Sequence, residues 1–546
     1  MKRLLFLAIC IVAVGCSNIN NNSATISCIV PQPKESVLNE GEFPVSGVEI
    51  ILDTRMDEMS MAAIGRFSEK LSRAAGTPSA LAITQPKKGA INFIVNESLS
   101  PEEYTLDVTQ KMVKVQASSL NGFCYAVQSI MQLLPAAIYG SEAAPLEHWA
   151  LPCCEIKDSP AFAYRGMHLD VVRHFFPIEE VKKYIDVLEM FKLNRFHWHL
   201  SDDQGWRVEI KALPELVEKG SWRRGSVIGH INDNNGDDNI PVSGYYTQNE
   251  IRQVVAYAAE RGITVIPEID LPGHMLAALT AYPNLGCSGG PYEVWTKWGV
   301  SPQVLCAGNE DTYKFLETVL GEICDLFPSE YIHIGGDECP KDEWKTCPKC
   351  QAKIKELGYS DTENFTAEQY LQTYVTKRMQ KFLASRGRKL IGWEEILEGD
   401  LESGAVIMSW IGSGVSGQKA AGKGFDVIMT PYSHLYFDFY QAENTENEPL
   451  AIGGCTPVEK VYGYDPYEGI DEKNKSHIRG VQANLWTEYI PTCEHLEYML
   501  LPRLLALSEV QWACDNRNWE RFRQNLIEHE FAVLDAAGYN YRKTIK

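Results

Sequence analysis

Beyond residue 160 the chain repeats one pattern, a short apolar run followed by a helical segment. The eight runs with the length and composition of strands are residues 164–170, 195–201, 264–270, 331–336, 389–393, 405–410, 426–430 and 480–486. Apolar positions spaced three and four residues apart predict helices between them, at 178–191, 248–261, 312–326 and 367–386. Alternating strands and helices of this kind predict a (β/α)8 TIM barrel.

The residues before the barrel mix strands and helices less regularly. Strands are predicted at 48–52, 90–95, 104–108 and 112–117, and helices near 59–75 and 122–134. This predicts a smaller α/β domain, with a mixed sheet plus helices, at residues 26–158. The catalytic barrel is expected at 159–515, with a C-terminal helical segment, 516–546, packed on it.

The first residues have the pattern of an export signal. Met1-Lys2-Arg3 precedes an apolar run at 4–14, which is too short to span a bilayer as a helix. The run ends at Ala13-Val14-Gly15-Cys16, which resembles a bacterial lipobox. We expect a lipoprotein-type signal peptide at 1–15, lipidation of Cys16 and a tether at 16–25. Ordinary signal-peptidase cleavage is the alternative. The expected location is the bacterial cell envelope, on the outer membrane, facing the periplasm or the surface.

Composition narrows the possible partners. The 546 residues include 51 Lys plus Arg against 72 Asp plus Glu, for a formal charge of −21. Such a charge repels phosphate backbones, so nucleic acid is not an expected partner. A hydrophobic content of 45% and a charged content of 23% are ordinary for folded domains and exclude wholesale disorder.

The cysteines give an ambiguous signal. Of the 15 cysteines, Cys10 lies in the signal and Cys16 at the anchor, which leaves an odd number for the folded chain. Cys347-Pro348-Lys349-Cys350, close to Cys339, has a spacing seen in zinc and redox sites. No second such pair follows at a zinc-ribbon distance. The sequence therefore favours a local disulfide or free thiols over a metal.

Polar and aromatic residues follow the predicted barrel strands, where this fold places its active sites. The acids, the basic residues and the aromatic residues at these positions are Asp170, Arg173, Asp202, Glu268, Asp270, His274, Asp337, Glu338, Trp393, Trp410, Tyr436, Asp438, Trp486 and Glu488. Indoles bind the apolar faces of a sugar ring and carboxylates bind its hydroxyls, so this set predicts a glycan site. Glu268, Asp270 and His274 could bind a metal, but support of another acid is the simpler interpretation, and no metal or cofactor is expected.

Two adjacent acids end the fourth barrel strand. The stretch 331–338 reads Tyr-Ile-His-Ile-Gly-Gly-Asp-Glu, in which Ile332 and Ile334 alternate with His333. Neighbouring side chains on a regular strand point to opposite faces. Asp337 and Glu338 can therefore enter one pocket only if the backbone bends, and the two preceding glycines permit that bend.

The chain resembles the β-N-acetylhexosaminidases of glycoside hydrolase family 20. The resemblance covers residue 104 to the final helix and is carried by four motifs, at 169–176 (LDVVRHFF), 197–207 (HWHLSDDQGWR), 267–274 (PEIDLPGH) and 333–338 (HIGGDE). A chance match to all four is implausible. The resemblance implies exo-acting, retaining hydrolysis of terminal β-linked GlcNAc or GalNAc, in which the substrate's own acetamido oxygen is the nucleophile.

The resemblance also implies a role for each site residue. Glu338 would be the general acid and base, and Asp337 would orient the acetamido group. Substrate-binding roles fall on Arg173, Trp393, Trp410, Tyr436, Asp438, Trp486 and Glu488. Supporting roles fall on Asp202, Asp270, His274 and His333. Cys287 and Cys306 resemble a family disulfide that closes a loop at the barrel mouth.

One departure concerns the leaving-group side. Some relatives have a further tryptophan after the Tyr-Asp motif, whereas residues 450–457 read LAIGGCTP. A relative that releases a disaccharide and a non-catalytic glycan-binding lipoprotein remain as alternative functions. The intact Asp337 and Glu338 argue against the second of these. The sequence leaves open the choice between GlcNAc and GalNAc.

Overall fold

The computed structural model describes residue 26 and residues 28–545. The predicted signal peptide at 1–15 and the whole of the tether at 16–25, including Cys16, lie outside the described residues. Within the described part of the chain, no helix is both long and apolar enough to cross a membrane.

The principal domain is a closed barrel of eight parallel strands, as predicted. The strands are Tyr164–Asp170, Arg195–His199, Thr264–Glu268, Tyr331–His333, Lys389–Trp393, Val406–Ser409, Asp426–Met429 and Ile478–Ala483. Each strand pairs with the next in the chain, and the eighth closes on the first through the register Gly480 to Tyr164. The carboxyl ends of all eight strands therefore meet at one mouth.

Helices surround the barrel; most bury one face against it, and Arg503–Trp512 is buried along its whole length. The longer ones are Ile178–Met190, Gln248–Ala259, Glu310–Leu326, Ala367–Ser385, Val415–Gly422 and Arg503–Trp512. The first of them buries Val181, Ile185 and Leu188, which are the apolar positions of its sequence pattern. In the C-terminal segment the helices Trp519–Asn525 and Phe531–Ala537 flank a π-helical turn, and Leu526 and Leu534 join the core of the barrel.

The N-terminal domain is a seven-stranded mixed sheet with two helices, Glu58–Ala75 and Leu120–Gln132. Its strands are Glu35–Pro44, Glu49–Leu52, Leu81–Ile83, Ala90–Val95, Tyr104–Thr109, Met112–Ala117 and Ala150–Asp158. The first, third and seventh strands were not predicted. Glu35–Pro44 is an edge strand and Leu81–Ile83 is short, and both are largely exposed, so neither has the alternation that identifies a half-buried strand.

A buried ion pair joins the two domains. Lys192, which lies between the first barrel helix and the second barrel strand, places its Nζ 3.1 Å from Asp158 Oδ2 in the N-terminal sheet. Both side chains are fully buried. The indole N–H of Trp512 donates to the other Asp158 oxygen at 2.9 Å. The pair is therefore satisfied on both oxygens, and it fixes the sheet against the barrel.

Candidate active site

The bend after the fourth strand is the one that the two glycines were expected to permit. Gly335 and Gly336 have φ angles of 63° and 99°, and Glu338 is also left-handed at 46°. A Cβ on Gly335 would lie 1.8 Å from Asp270 Oδ1, so no other residue fits there without movement. The Gly336 N–H donates to the same Asp270 oxygen at 3.0 Å. Asp270 thus holds the bend that presents Asp337 and Glu338.

The two adjacent acids share one imidazole. His274 Nε2 lies 3.9 Å from Asp337 Oδ2 and 3.7 Å from Glu338 Oε2. The side chain of Asp337 is 12% exposed and that of Glu338 is 45% exposed. Both acids therefore enter one pocket, with Asp337 on its floor and Glu338 toward solvent.

Burial raises the pKa values of the acids on the floor of the pocket. Burial raises the pKa of Asp337 to about 6, with His274 opposing the shift and Glu338 adding to it. Burial and then the neighbouring charge of Asp337 raise the pKa of Asp270 well above its ordinary value. At pH values above about 6, Asp337 is therefore an ionised acceptor.

His274 is charged because two acids face its other nitrogen. Its Nδ1 lies 3.0 Å from Asp202 Oδ1 and 3.3 Å from Asp203 Oδ2. Burial disfavours the charge, but Asp202 and then Asp270 outweigh it and hold the pKa of His274 well above its ordinary value. Arg173 contacts Asp202 Oδ2 at 2.8 Å. Despite burial, Arg173 and His274 hold the pKa of Asp202 well below its usual range.

Glu268 lies behind this layer and is surrounded by ring nitrogens. Its carboxylate is contacted by His199 Nδ1 at 2.6 Å, His333 Nδ1 at 3.0 Å and His197 Nε2 at 3.1 Å, and accepts from Trp393 Nε1 at 2.8 Å. His199 also contacts Asp202, at 2.9 Å. Burial opposes a charge on His199, but Glu268 and Asp202 raise its pKa to about 10. His333 and Glu268 therefore support the site from behind its wall.

A second polar group lies across the pocket. Arg173 contacts Asp170 at 3.2 Å and Glu488 at 3.8 Å, and its guanidinium lies 5.2 Å from the ring centroid of Trp486. Burial and then Glu488 raise the pKa of Asp438 well above its ordinary value. Asp438 Oδ1 and Asp337 Oδ1 are buried and have no hydrogen-bond partner among the described residues. Both atoms are available to a ligand.

Indoles and one tyrosine form the walls of the cavity. Trp410 stacks on Tyr436 with ring centroids 6.1 Å apart and planes at 20°. The Trp410 Nε1–H donates to Glu395 Oε2 at 3.0 Å. The cavity measures about 270 Å³ and is lined by Arg173, Asp202, His274, Asp337, Glu338, Trp393, Trp410, Tyr432, Tyr436, Asp438, Phe439, Ile452, Trp486 and Glu488. All the residues expected to bind substrate thus lie around one space.

Sequence reasoning did not identify several residues of the site. Tyr432, Phe439 and Ile452 line the cavity, and Glu395 holds Trp410 in place. Ile452 lies within the segment that lacks the expected tryptophan. The only sequence signal for Glu395 was its position two residues after Trp393, because Glu395 lies beyond the end of the predicted strand 389–393.

The predicted disulfide between Cys287 and Cys306 is not formed. Both are free cysteines, like the other eleven that the described chain contains. Their sulfur atoms instead lie in a group with those of Cys347 and Cys350. The pairing was inferred from the resemblance alone. The positions of Cys287 and Cys306 in the sequence do not reveal that Cys347 and Cys350 lie beside them in the fold.

A TIM barrel that holds adjacent acids in an indole-lined cavity at its carboxyl face has the architecture of a glycoside hydrolase. The sequence profile "Glycosyl hydrolase family 20, catalytic domain" matches residues 162–515, and "Glycosyl hydrolase family 20, domain 2" matches residues 27–159. The chain belongs to glycosyl hydrolase family 20.

Relatives from several bacteria match over most of the chain. A beta-hexosaminidase of Porphyromonas gingivalis is 40% identical over 94% of this chain, which spans 64% of that longer protein. A beta-hexosaminidase of Vibrio furnissii is 37% identical over 89% of this chain and 76% of its own length. The structure of an exo beta-N-acetylglucosaminidase from Vibrio harveyi, in complex with N-acetylglucosamine, matches with a TM-score of 0.82. It is 32% identical and covers 97% of this chain and 80% of its own.

Proposed function

We propose that this protein is an exo-acting, retaining β-N-acetylhexosaminidase that removes terminal β-linked GlcNAc or GalNAc from glycans by substrate-assisted catalysis. The observation that carries the proposal is the placement of Asp337 and Glu338, both within 4 Å of His274, in a cavity walled by three indoles. No second protein carboxylate is needed as a nucleophile, because the substrate supplies its own.

The two acids have separate tasks. Glu338 protonates the glycosidic oxygen as the acetamido oxygen attacks the anomeric carbon, and the bond to the leaving group breaks. Glu338 then takes a proton from the water that opens the oxazolinium intermediate. Asp337 accepts the acetamido N–H through its unpartnered Oδ1 and stabilises the positive charge that develops on the group.

The cavity favours release of one sugar at a time. Its volume of about 270 Å³ lies just below the roughly 300–1,000 Å³ of small-molecule sites. Asp438 and Glu488, which line the same cavity as the catalytic acids, would bind the outer hydroxyls of one ring. A relative that releases a disaccharide would need room for a second ring beyond these residues, so this alternative is less favoured.

The first test is the release of an aryl leaving group from matched β-glycosides of GlcNAc, GalNAc and glucose. We expect activity on the two N-acetyl sugars and none on glucose, with inhibition by a thiazoline that mimics the oxazolinium. Equal activity on glucose would contradict substrate assistance. Inactivity on all three would support the disaccharide-releasing or binding-only alternatives.

Two variants separate the roles of the acids. Glu338→Gln should slow hydrolysis of a poor leaving group by about 10²–10⁴-fold, and that of an activated aryl glycoside much less. Asp337→Asn should slow both substrates alike, by about 10²–10³-fold, because it acts on the intramolecular attack. Equal losses for Glu338→Gln on both substrates would contradict its role as the acid, and an unimpaired Asp337→Asn would exclude assistance.

We also propose that the protein is exported and anchored in the bacterial cell envelope by a lipid on Cys16. The support is the signal-like pattern at 1–15 and the lipobox-like residues that end at Cys16. Mass spectrometry of the mature N-terminus should find a diacylated cysteine, and Cys16→Ala should release the protein from the membrane fraction. An N-terminus downstream of residue 16 would contradict anchoring.

A further inference from the structure

Four cysteines from distant parts of the chain bring their sulfur atoms together beside the barrel mouth. Cys287, Cys306, Cys347 and Cys350 place all four Sγ atoms within 4.8 Å of one another. The separation is 3.7 Å for Cys306 to Cys347, 3.7 Å for Cys306 to Cys350 and 3.9 Å for Cys287 to Cys350. None of the four is bonded to another sulfur.

These separations are those of a tetrahedral thiolate site. Four sulfurs about 2.3 Å from one zinc ion, at the corners of a regular tetrahedron, lie about 3.8 Å from each other. A disulfide needs a sulfur separation of about 2.0 Å. The observed distances of 3.7–3.9 Å therefore match a shared central ion more closely than a pair of covalent bonds.

The helix that carries one of the cysteines begins beside the group of sulfurs. Cys347 is the N-cap of the helix Pro348–Leu357, and Cys350 lies in its first turn, where the helix dipole stabilises negative charge. The backbone of Gly308 lies against that of Lys349 and Cys350 in this turn. Gly308 can approach because it has no side chain, since a Cβ there would lie 2.2 Å from the Lys349 carbonyl.

The other two sulfurs are held by a short β-bridge. Gly286 pairs antiparallel with Leu305, and this sets Cys287 and Cys306 side by side. Cys306 and Cys350 are fully buried and Cys347 nearly so, whereas Cys287 is half-buried and leaves a route for a metal ion to enter. Protein therefore encloses the group of sulfurs on every side except that of Cys287.

We propose that Cys287, Cys306, Cys347 and Cys350 form a structural zinc site. Binding Zn²⁺ converts the thiols to thiolates, and their protons are released to solvent. All four coordination positions are filled by protein, so the ion has no open position for substrate and takes no part in the hydrolysis.

The site would tie together two loops of the barrel mouth. Cys287 and Cys306 follow the third strand, whose loop also carries His274, while Cys347 and Cys350 follow the fourth strand, just beyond Asp337 and Glu338. A further polar link between the two loops is Trp344 Nε1–H, which donates to the Leu305 carbonyl at 2.9 Å. The zinc would therefore hold the imidazole and the catalytic pair in register.

The test is the metal content of the full-length protein, purified without added metal and measured by mass spectrometry. We expect about one zinc per chain in the wild type and at least a tenfold reduction in Cys347→Ser and in Cys350→Ser. Cys324→Ser is the matched control, because Cys324 is another buried cysteine outside the group and its loss should leave the zinc in place.

Two further measurements apply if the serine variants do not fold. Exchange of the wild-type metal for Co²⁺ should give the intense thiolate-to-metal absorption and visible bands of a tetrahedral cobalt site. Removal of the ion with a chelator should lower the unfolding temperature by about 5 °C or more, and added Zn²⁺ should restore it.

Three outcomes would overturn the proposal. They are disulfides among the four cysteines in the non-reduced wild type, wild-type protein with free thiols and no bound metal, and iron in place of zinc. None of these readouts depends on hydrolysis, so failure of the zinc proposal and failure of the proposed activity are distinguishable.

Discussion

Replacing Gly335 by alanine tests whether the bend after the fourth strand sets the catalytic geometry. The new Cβ would lie 1.8 Å from Asp270 Oδ1 and 2.8 Å from its Cα, which is backbone. The φ angle of 63° is also one that alanine rarely adopts. Both effects act on the residue two positions before Asp337.

The size of the effect follows from these distances. To restore an ordinary contact of 3.4 Å, the two groups must separate by about 1.6 Å. Asp270 is buried and accepts from the Gly336 N–H, so the bend itself has to move. A misplacement of about 1 Å costs about 10²-fold in rate, so we expect Gly335→Ala to lower kcat by at least that factor.

Gly387→Ala is the matched control. Gly387 has a φ of 72° but open space around its position, so alanine there introduces the same backbone strain without the clash. The strain costs about 1–2 kcal/mol in either variant. Measured on an aryl β-GlcNAc glycoside, kcat should fall in Gly335→Ala alone, while thermal unfolding shows that both variants are folded. Similar kcat values for the two variants would refute the reasoning.

Three further predictions concern protonation, stability and support of the wall. The proposed role of Asp337 requires its ionised form, and burial raises its pKa to about 6, so kcat/KM should fall about tenfold per pH unit below that value. An acidic limb that persists in Asp337→Asn would contradict this role. Lys192→Met leaves Asp158 buried without its cation, so urea denaturation should show a decrease of about 3–5 kcal/mol in the free energy of unfolding. A decrease below about 1 kcal/mol would contradict the role of the pair. Trp393→Phe keeps an aromatic wall but removes the hydrogen-bond donor to Glu268, so kcat should fall about tenfold while the unfolding temperature changes little. An unchanged kcat would show that only the aromatic wall matters.

The barrel was predictable because its signals are local. Strands such as Val406–Ser409 and Thr264–Glu268 are short, mostly apolar runs, and a parallel strand covered on both faces needs no other pattern. The strand ends were less accurate. The fourth strand stops at His333 rather than at residue 336, because Gly335 and Gly336 take positive φ angles that no hydrophobicity pattern records.

The group of four sulfurs could not be predicted from local patterns in the sequence. The pair Cys347 and Cys350 has zinc spacing, and the absence of a second close pair favoured a disulfide or free thiols. The other two sulfurs come from the loop of the preceding strand, where Cys287 and Cys306 are brought together by a bridge that forms only on folding. A ligand set assembled across two barrel loops is visible only once the barrel has closed.

The resemblance identified the acids of the site, but it did not explain how so many of them remain charged when they are buried. Charges alternate along one line of contacts, from Glu268 to His199, Asp202, His274 and finally Asp337. Each anion in this line faces a cation, which lowers the cost of burying both. Because His274 turns its Nδ1 to Asp202, only its Nε2 remains for the catalytic pair. Asp270 lies outside this line: burial and then the like charge of Asp337 raise its pKa well above the ordinary value, and Asp337 remains the proposed acceptor of the acetamido N–H.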